Sequence, residues 1–150
     1  MKYLSGFYAL TIACELNTDG STHFGSLDWS TESLDIKDSE KSIFGDWGIE
    51  KDKVIFEHPN EKYNVANHIR AILDMMEEGC VYVLRNFREH YIGTDEYNDI
   101  IFEKVYMLRD KDNWNLIDDL MWSCYGDEWK AFIEKTTGKP YTNQIRMEDF

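Results

Sequence analysis

The clearest pattern along the chain is a change of period near residue 64. From there Val65, Ile69, Ile72, Leu73 and Met76 form an apolar stripe at helical spacing, with Asn67, Arg70, Asp74, Glu77 and Glu78 largely off it. Asn64 is suited to cap this helix and Gly79 to end it. Tyr97, Ile101, Val105 and Leu108 predict a further helix over 96–109. Trp114, Ile117, Leu120, Met121 and Cys124 predict another that starts at Asp112-Asn113. Trp129, Phe132 and Ile133 predict a short last helix over 127–135, ended by Gly138-Lys139-Pro140. Between these, Cys80, Val83, Leu84, Phe87 and Tyr91 fit a helix, although CVYVL by itself also reads as a strand. The period continues to Tyr91, which favours helix.

The first sixty residues read differently. Gly6 to Leu16 is rich in aromatic and β-branched residues, Asn17 to Ser21 is a cluster of turn formers, and His23 to Trp29 reads as a second strand. Together they predict a hairpin with a long loop. Residues 30–41 are polar and acidic, as in a surface loop, and 42–50 set two glycines around Asp46 and Trp47. Lys53 to Glu57 predicts a third strand, ended by His58-Pro59-Asn60. The expected fold is α+β: a short antiparallel sheet (N-terminal hairpin plus a third strand) packed on a C-terminal bundle of four to five helices. Residues 1–150 form a single domain, with a strand-rich part over 1–60, a helical part over 61–138 and a loosely held tail over 139–150.

Composition adds a core and a charge. The chain of 150 residues is 43% hydrophobic and 15% aromatic, enough for a packed interior without disulfides. Five tryptophans and nine tyrosines exceed what a core of this size needs, so some aromatics are expected at the surface. The net charge is −13, spread along the chain rather than held in a tail. Nucleic-acid binding draws on clustered Lys and Arg, so direct contact with nucleic acid is disfavoured and a basic protein is the better-matched partner. Cys14, Cys80 and Cys124 are odd in number and lack Cys-x-x-Cys spacing, which points to a reducing, cytoplasmic setting. Lys2 followed by an apolar run to Cys14 is a poor match to a lipoprotein leader, because Ser5, Gly6 and two tyrosines interrupt it. No other stretch has the length and apolarity of a membrane span, so no membrane association is expected.

Candidate chemistry is sparse. Of His23, His58, His68 and His90, none belongs to a His-x-x-x-His or His-Glu-x-x-His pair, and neither a metal nor another cofactor is expected. His68 stands at the edge of the apolar stripe, four residues before Ile72. No Gly-x-Ser-x-Gly elbow occurs, Phe44 to Gly48 lacks the lysine of a phosphate loop, and the cysteines fall on apolar faces where thiols are usually inert. Asp95, Asp99 and Glu103 recur every four residues and would share one helix face. Like charges at that spacing cost a few tenths of a kcal/mol each, which a basic partner would offset. On the helix from Trp114, Asp118, Asp119 and Trp122 lie off the inward stripe, with Tyr125 three residues on, an aromatic anchor beside carboxylates.

Two stretches, SIFGDWGIE at Ser42–Glu50 and YNVANHIRAILDMMEEG at Tyr63–Gly79, resemble an uncharacterised group of acidic bacterial proteins of about this length, often on mobile elements. The group has no established activity and supplies no catalytic residues. The resemblance implies a role in conflict between mobile elements and their hosts, where small acidic inhibitors are common. The sixteen Lys and Arg set this chain apart from the most acidic nucleic-acid mimics.

The leading expectation is a non-enzymatic, inhibitor-like or antitoxin-like module that binds a basic nucleic-acid-binding or defence protein through Asp95, Asp99, Glu103, Asp118, Asp119, Trp122 and Tyr125. A small hydrolase or transferase centred on His68 and Asp46 is the alternative, and a structural or assembly subunit with a large flat apolar interface is the third.

Overall fold

Leu4 lies at the centre of the sheet, with a strand on each side. In the computed structural model, which describes residues 1–143, β1 (Lys2–Leu4) pairs antiparallel with β2 (Ile36–Asp38) and parallel with β4 (His58–Ala66). β3 (Ile49–Ile55) forms an antiparallel hairpin with β4, and the strand order is β2-β1-β4-β3. Among the described residues five α-helices complete the fold: α1 (Gly6–Leu10), α2 (His68–Glu78), α3 (Asn98–Tyr106), α4 (Trp114–Tyr125) and α5 (Asp127–Thr137). The α+β class is as expected, but the sheet is mixed and differently built.

The predicted N-terminal hairpin is absent among the described residues. Gly6–Leu10 forms one helical turn instead, and residues 12–21 run as an irregular strap. A short continuous apolar run has no period to distinguish strand from helix, so tertiary contacts decide. The third strand begins earlier than expected, at Ile49, and the expected stop His58-Pro59-Asn60 instead opens β4. A bulge between Glu50 and Lys53 sets Asp52 at φ 59°.

α2 is the central helix and packs against α1, β4, α3 and a π-helical turn at Arg88–Ile92. Its cap is Asn67, whose Oδ1 accepts from the Arg70 N–H, three residues later than predicted because Tyr63 to Ala66 belong to β4. Every residue from His68 to Met76 is buried, including Arg70 and Asp74, which the pattern places on a polar face. The segment expected as a helix over 80–91 breaks into a 3₁₀ turn (Tyr82–Leu84) and the π-helical turn, because Asn86 adopts φ 59° between them.

The bundle core is aromatic: Phe102, Tyr125, Trp129 and Phe132 from α3, α4 and α5 meet with ring centroids 4.8–5.6 Å apart. Among the described residues the exposed aromatics are Phe24, Phe56 and Tyr82, while Trp47, Trp114 and Trp122 are half-buried and Trp29 and Trp129 buried. The expected tail is anchored over its described part, since Tyr141 and Asn143 are buried against α4; residues 144–150 lie outside the described residues. Among the described residues, no helix is long and apolar enough to cross a membrane.

Candidate functional site

An acidic face is built where the turn before α3 meets the start of α5. The Arg88 guanidinium, held by the π-helical turn, donates from Nη2 to Asp95 (2.8 Å) and Glu128 (3.1 Å) and from Nη1 to the Cys124 carbonyl (3.1 Å). It also lies 4.7 Å from the Tyr125 ring centroid. Asn98 Nδ2 donates to Glu128 at 2.9 Å, joining α3 to α5. Arg88 holds the Asp95 carboxyl below its usual range, and Asp95 and Glu128 hold the guanidinium up.

Glu89 and Asp19 are exposed, as are Glu96, Asp99 and Asp127, the sequence neighbours of Asp95, Asn98 and Glu128. Asp19, Glu89 and Asp95 line a shallow cleft of about 340 Å³ together with Arg88, Gly93 and Thr94. Gly93 (φ 74°) supplies a left-handed backbone that a side chain would strain, and a Cβ there would also push the Asp19 carboxylate aside. Asp99, Asp127 and Glu128 occupy first turns of helices, where the helix dipole favours negative charge.

The structure divides the seven predicted recognition residues. Asp99 and Glu103 are exposed on α3, whereas Asp95 precedes the helix and so does not share their face by helical spacing. The α4 residues are turned to internal use. Asp118 accepts from Trp129 Nε1 (2.8 Å), Tyr141 OH (2.7 Å) and Asn143 Nδ2 (3.2 Å), and Asp119 accepts from Asn143 (2.7 Å). Trp122 stacks on Tyr141 with centroids 5.9 Å apart. Tyr125 is buried, and burial pushes its phenol well up. These four residues hold residues 141–143 and the bundle core together.

His68 and Asp46 also separate. Residues 68 and 70 are about 200° apart around α2. The turn carrying Asp46 closes over the Arg70 side, where Arg70 Nη1 donates to the carbonyls of Gly45 and Trp47. There the pair Arg70–Asp74 (Nε to Oδ1, 2.8 Å) is completed by Tyr3 OH and Ser5 Oγ, each donating to Asp74 Oδ2 at 2.7 Å, and by Arg70 Nη2 donating to Tyr3 OH at 3.0 Å.

On its own side His68 meets residues with no sequence signal pointing to it. Thr18 Oγ1 lies 2.6 Å from its Nδ1, the Ile12 carbonyl 2.7 Å from its Nε2, and Cys14 Sγ 3.5 Å from Thr18 Oγ1. Cys14, expected to be inert, thus has a histidine and a hydroxyl as neighbours, and its thiol lies below the usual range. Among the described residues, no group of three or more His, Cys, Asp or Glu side chains is placed to hold a metal ion.

No protein-family model, curated protein or solved structure matches the chain.

Proposed function

We propose that the chain is a non-enzymatic binding module that docks a basic protein surface through the acidic face around Arg88. The observation that carries this reading is the cleft in which Asp19, Glu89 and Asp95 lie with Arg88, an arginine whose charge is already shared by Asp95 and Glu128, with the exposed Glu96, Asp99 and Asp127 close by in sequence. Glu103 extends the same negative field along α3. On a chain of net charge −13, such a face steers a cationic partner and raises its association rate. Resemblance to proteins of mobile elements favours an inhibitor-like role.

The test is parallel affinity capture from nuclease-treated lysate of the native host, using the wild-type chain and a Glu89→Lys/Glu96→Lys variant. A stoichiometric basic protein that elutes with rising salt from the wild type and is lost from the variant supports the reading. Equal retention on both, or an association rate unaffected by salt, overturns it.

A further inference from the structure

The hydrogen bonds at His68 form a chain with a defined direction. The Ile12 carbonyl can only accept, so Nε2 of His68 carries a hydrogen. In the neutral ring Nδ1 is then an acceptor, and Thr18 Oγ1–H donates to it. The Thr18 oxygen is left to accept from the Cys14 thiol. Moving one proton along each of these two bonds turns Cys14–SH and neutral His68 into a thiolate and an imidazolium with every contact kept. Burial pushes the Cys14 thiol up, but the neighbouring His68 imidazole and Thr18 hydroxyl more than reverse this and bring it down to about 6. Burial alone would lower His68, and the neighbouring Cys14 and the Ile12 carbonyl raise it instead.

The strap that carries Cys14 is held from every side. Lys53 Nζ donates to the Ala13 carbonyl, the Glu15 N–H donates to Glu50, and Tyr97 OH donates to the Leu16 carbonyl, at 2.7, 2.9 and 2.8 Å. Further along, the N–H groups of Asp19, Gly20 and Ser21 donate to the carbonyls of Ile92, Tyr91 and Leu10. Gly20 (φ 62°) lays its backbone against the imidazole, where a Cβ would stand 2.6 Å from His68 Cε1. An irregular loop immobilised to this degree, ending on a thiol–hydroxyl–imidazole chain, is a pre-organised reactive site. The titratable groups that face it are His68 on α2, Glu50 and Lys53 on β3, and Tyr97 ahead of α3.

We propose that Cys14 is a thiol modification site for hydrogen peroxide, with Thr18 relaying the thiol proton to His68. Cys14 is 8% exposed, which admits a small oxidant rather than a polymeric substrate. The thiolate attacks one peroxide oxygen, an S–O bond forms and the O–O bond breaks. Sulfur gives up two electrons to the peroxide, and the departing hydroxide takes the His68 proton through Thr18 to become water. The products are Cys14 sulfenic acid, water and neutral His68.

The test exposes the intact chain to hydrogen peroxide, traps sulfenic acid with dimedone and reads the three cysteines by mass spectrometry. The Cys14 adduct is expected to form first, ahead of the exposed Cys80. Thr18→Val should slow it by about tenfold or more, while Thr18→Ser, which keeps the hydroxyl, stays within about twofold of wild type. Circular dichroism confirms that each variant is folded. Cys80 labelled ahead of Cys14, or a Thr18→Val rate equal to wild type, overturns the proposal.

Discussion

The two sides of α2 each bury a polar network, and the networks differ in kind. On one side Arg70 and Asp74 are densely partnered: Asp74 accepts three hydrogen bonds and Arg70 donates to Asp74, Tyr3 and two backbone carbonyls. No proton in that network has a second place to go. Burial, together with the bond to Asp74, pushes the Tyr3 phenol far up, which keeps it a donor at any ordinary pH. On the other side Cys14, Thr18 and His68 form a chain whose protons have two consistent arrangements. A buried network with one arrangement locks elements together; one with two can also carry chemistry. The first joins β1 and the 44–48 turn to α2, and the second joins the strap to it.

The comparison can be broken most severely at the ion pair. Asp74→Ala leaves a buried guanidinium without its charge partner and should cost about 3–5 kcal/mol, read from urea unfolding. An Arg70→Met/Asp74→Leu double variant should lose clearly less than the two singles summed; strict additivity would mean the pair acts as two independent groups. Gly20→Ala comes next, on the order of 2 kcal/mol, because φ 62° and contact with the Leu10 carbonyl and His68 leave no room for a methyl. Asp118→Leu removes the acceptor of Trp129, Tyr141 and Asn143 and should cost about 1–3 kcal/mol, with faster proteolysis near residue 140.

A pH series sharpens the contrast with almost no change in stability. Thiolate ultraviolet absorbance, absent in Cys14→Ser, should rise with a midpoint near 6. A depressed Cys14 makes stability grow as pH rises from about 6 towards the ordinary thiol value, whereas a raised His68 makes stability fall as pH rises through its folded value. The two slopes have opposite signs just above neutrality, so they offset each other and the urea midpoint should change little with pH there. A steep slope there would show that only one of the two groups has shifted. The smallest effect belongs to the surface: Glu89→Lys/Glu96→Lys should move Tm by no more than about 2 °C, since both side chains are exposed.

What was legible in the sequence follows from range. α2, α4 and α5 announce themselves through stripes such as Ile69–Ile72–Met76 and stops at Gly79, Gly126 and Gly138. β1 and β2 have three residues each, too few to carry a period, and Leu4 finds Val65 across a large sequence separation. Arg70 and Asp74, four apart, look like an exposed helical ion pair; only the wrapping of β1 and the 44–48 turn buries them. Asp118 and Trp122 lie off the inward stripe of α4, and the segment that covers them, residues 141–143, shows no periodicity that would announce it. The site at Cys14 was invisible for the same reason. His68 lies fifty residues from Thr18, and no local spacing encodes a contact made through an irregular strap.

The parallel pairing of Leu4 with Val65 also has a consequence for assembly in time. β1 is synthesised before both of the strands that flank it. At roughly 5–20 residues per second, several seconds pass between the synthesis of Leu4 and that of β4. Throughout that interval Tyr3 and Leu4, almost wholly enclosed in the finished fold, have no strand on the β4 side to cover them. The β3–β4 hairpin and α2 draw on neighbouring sequence, so they are expected to fold first and to receive β1 afterwards. The strand made earliest is then placed late, and the nascent chain carries an uncovered apolar segment that a chaperone can hold.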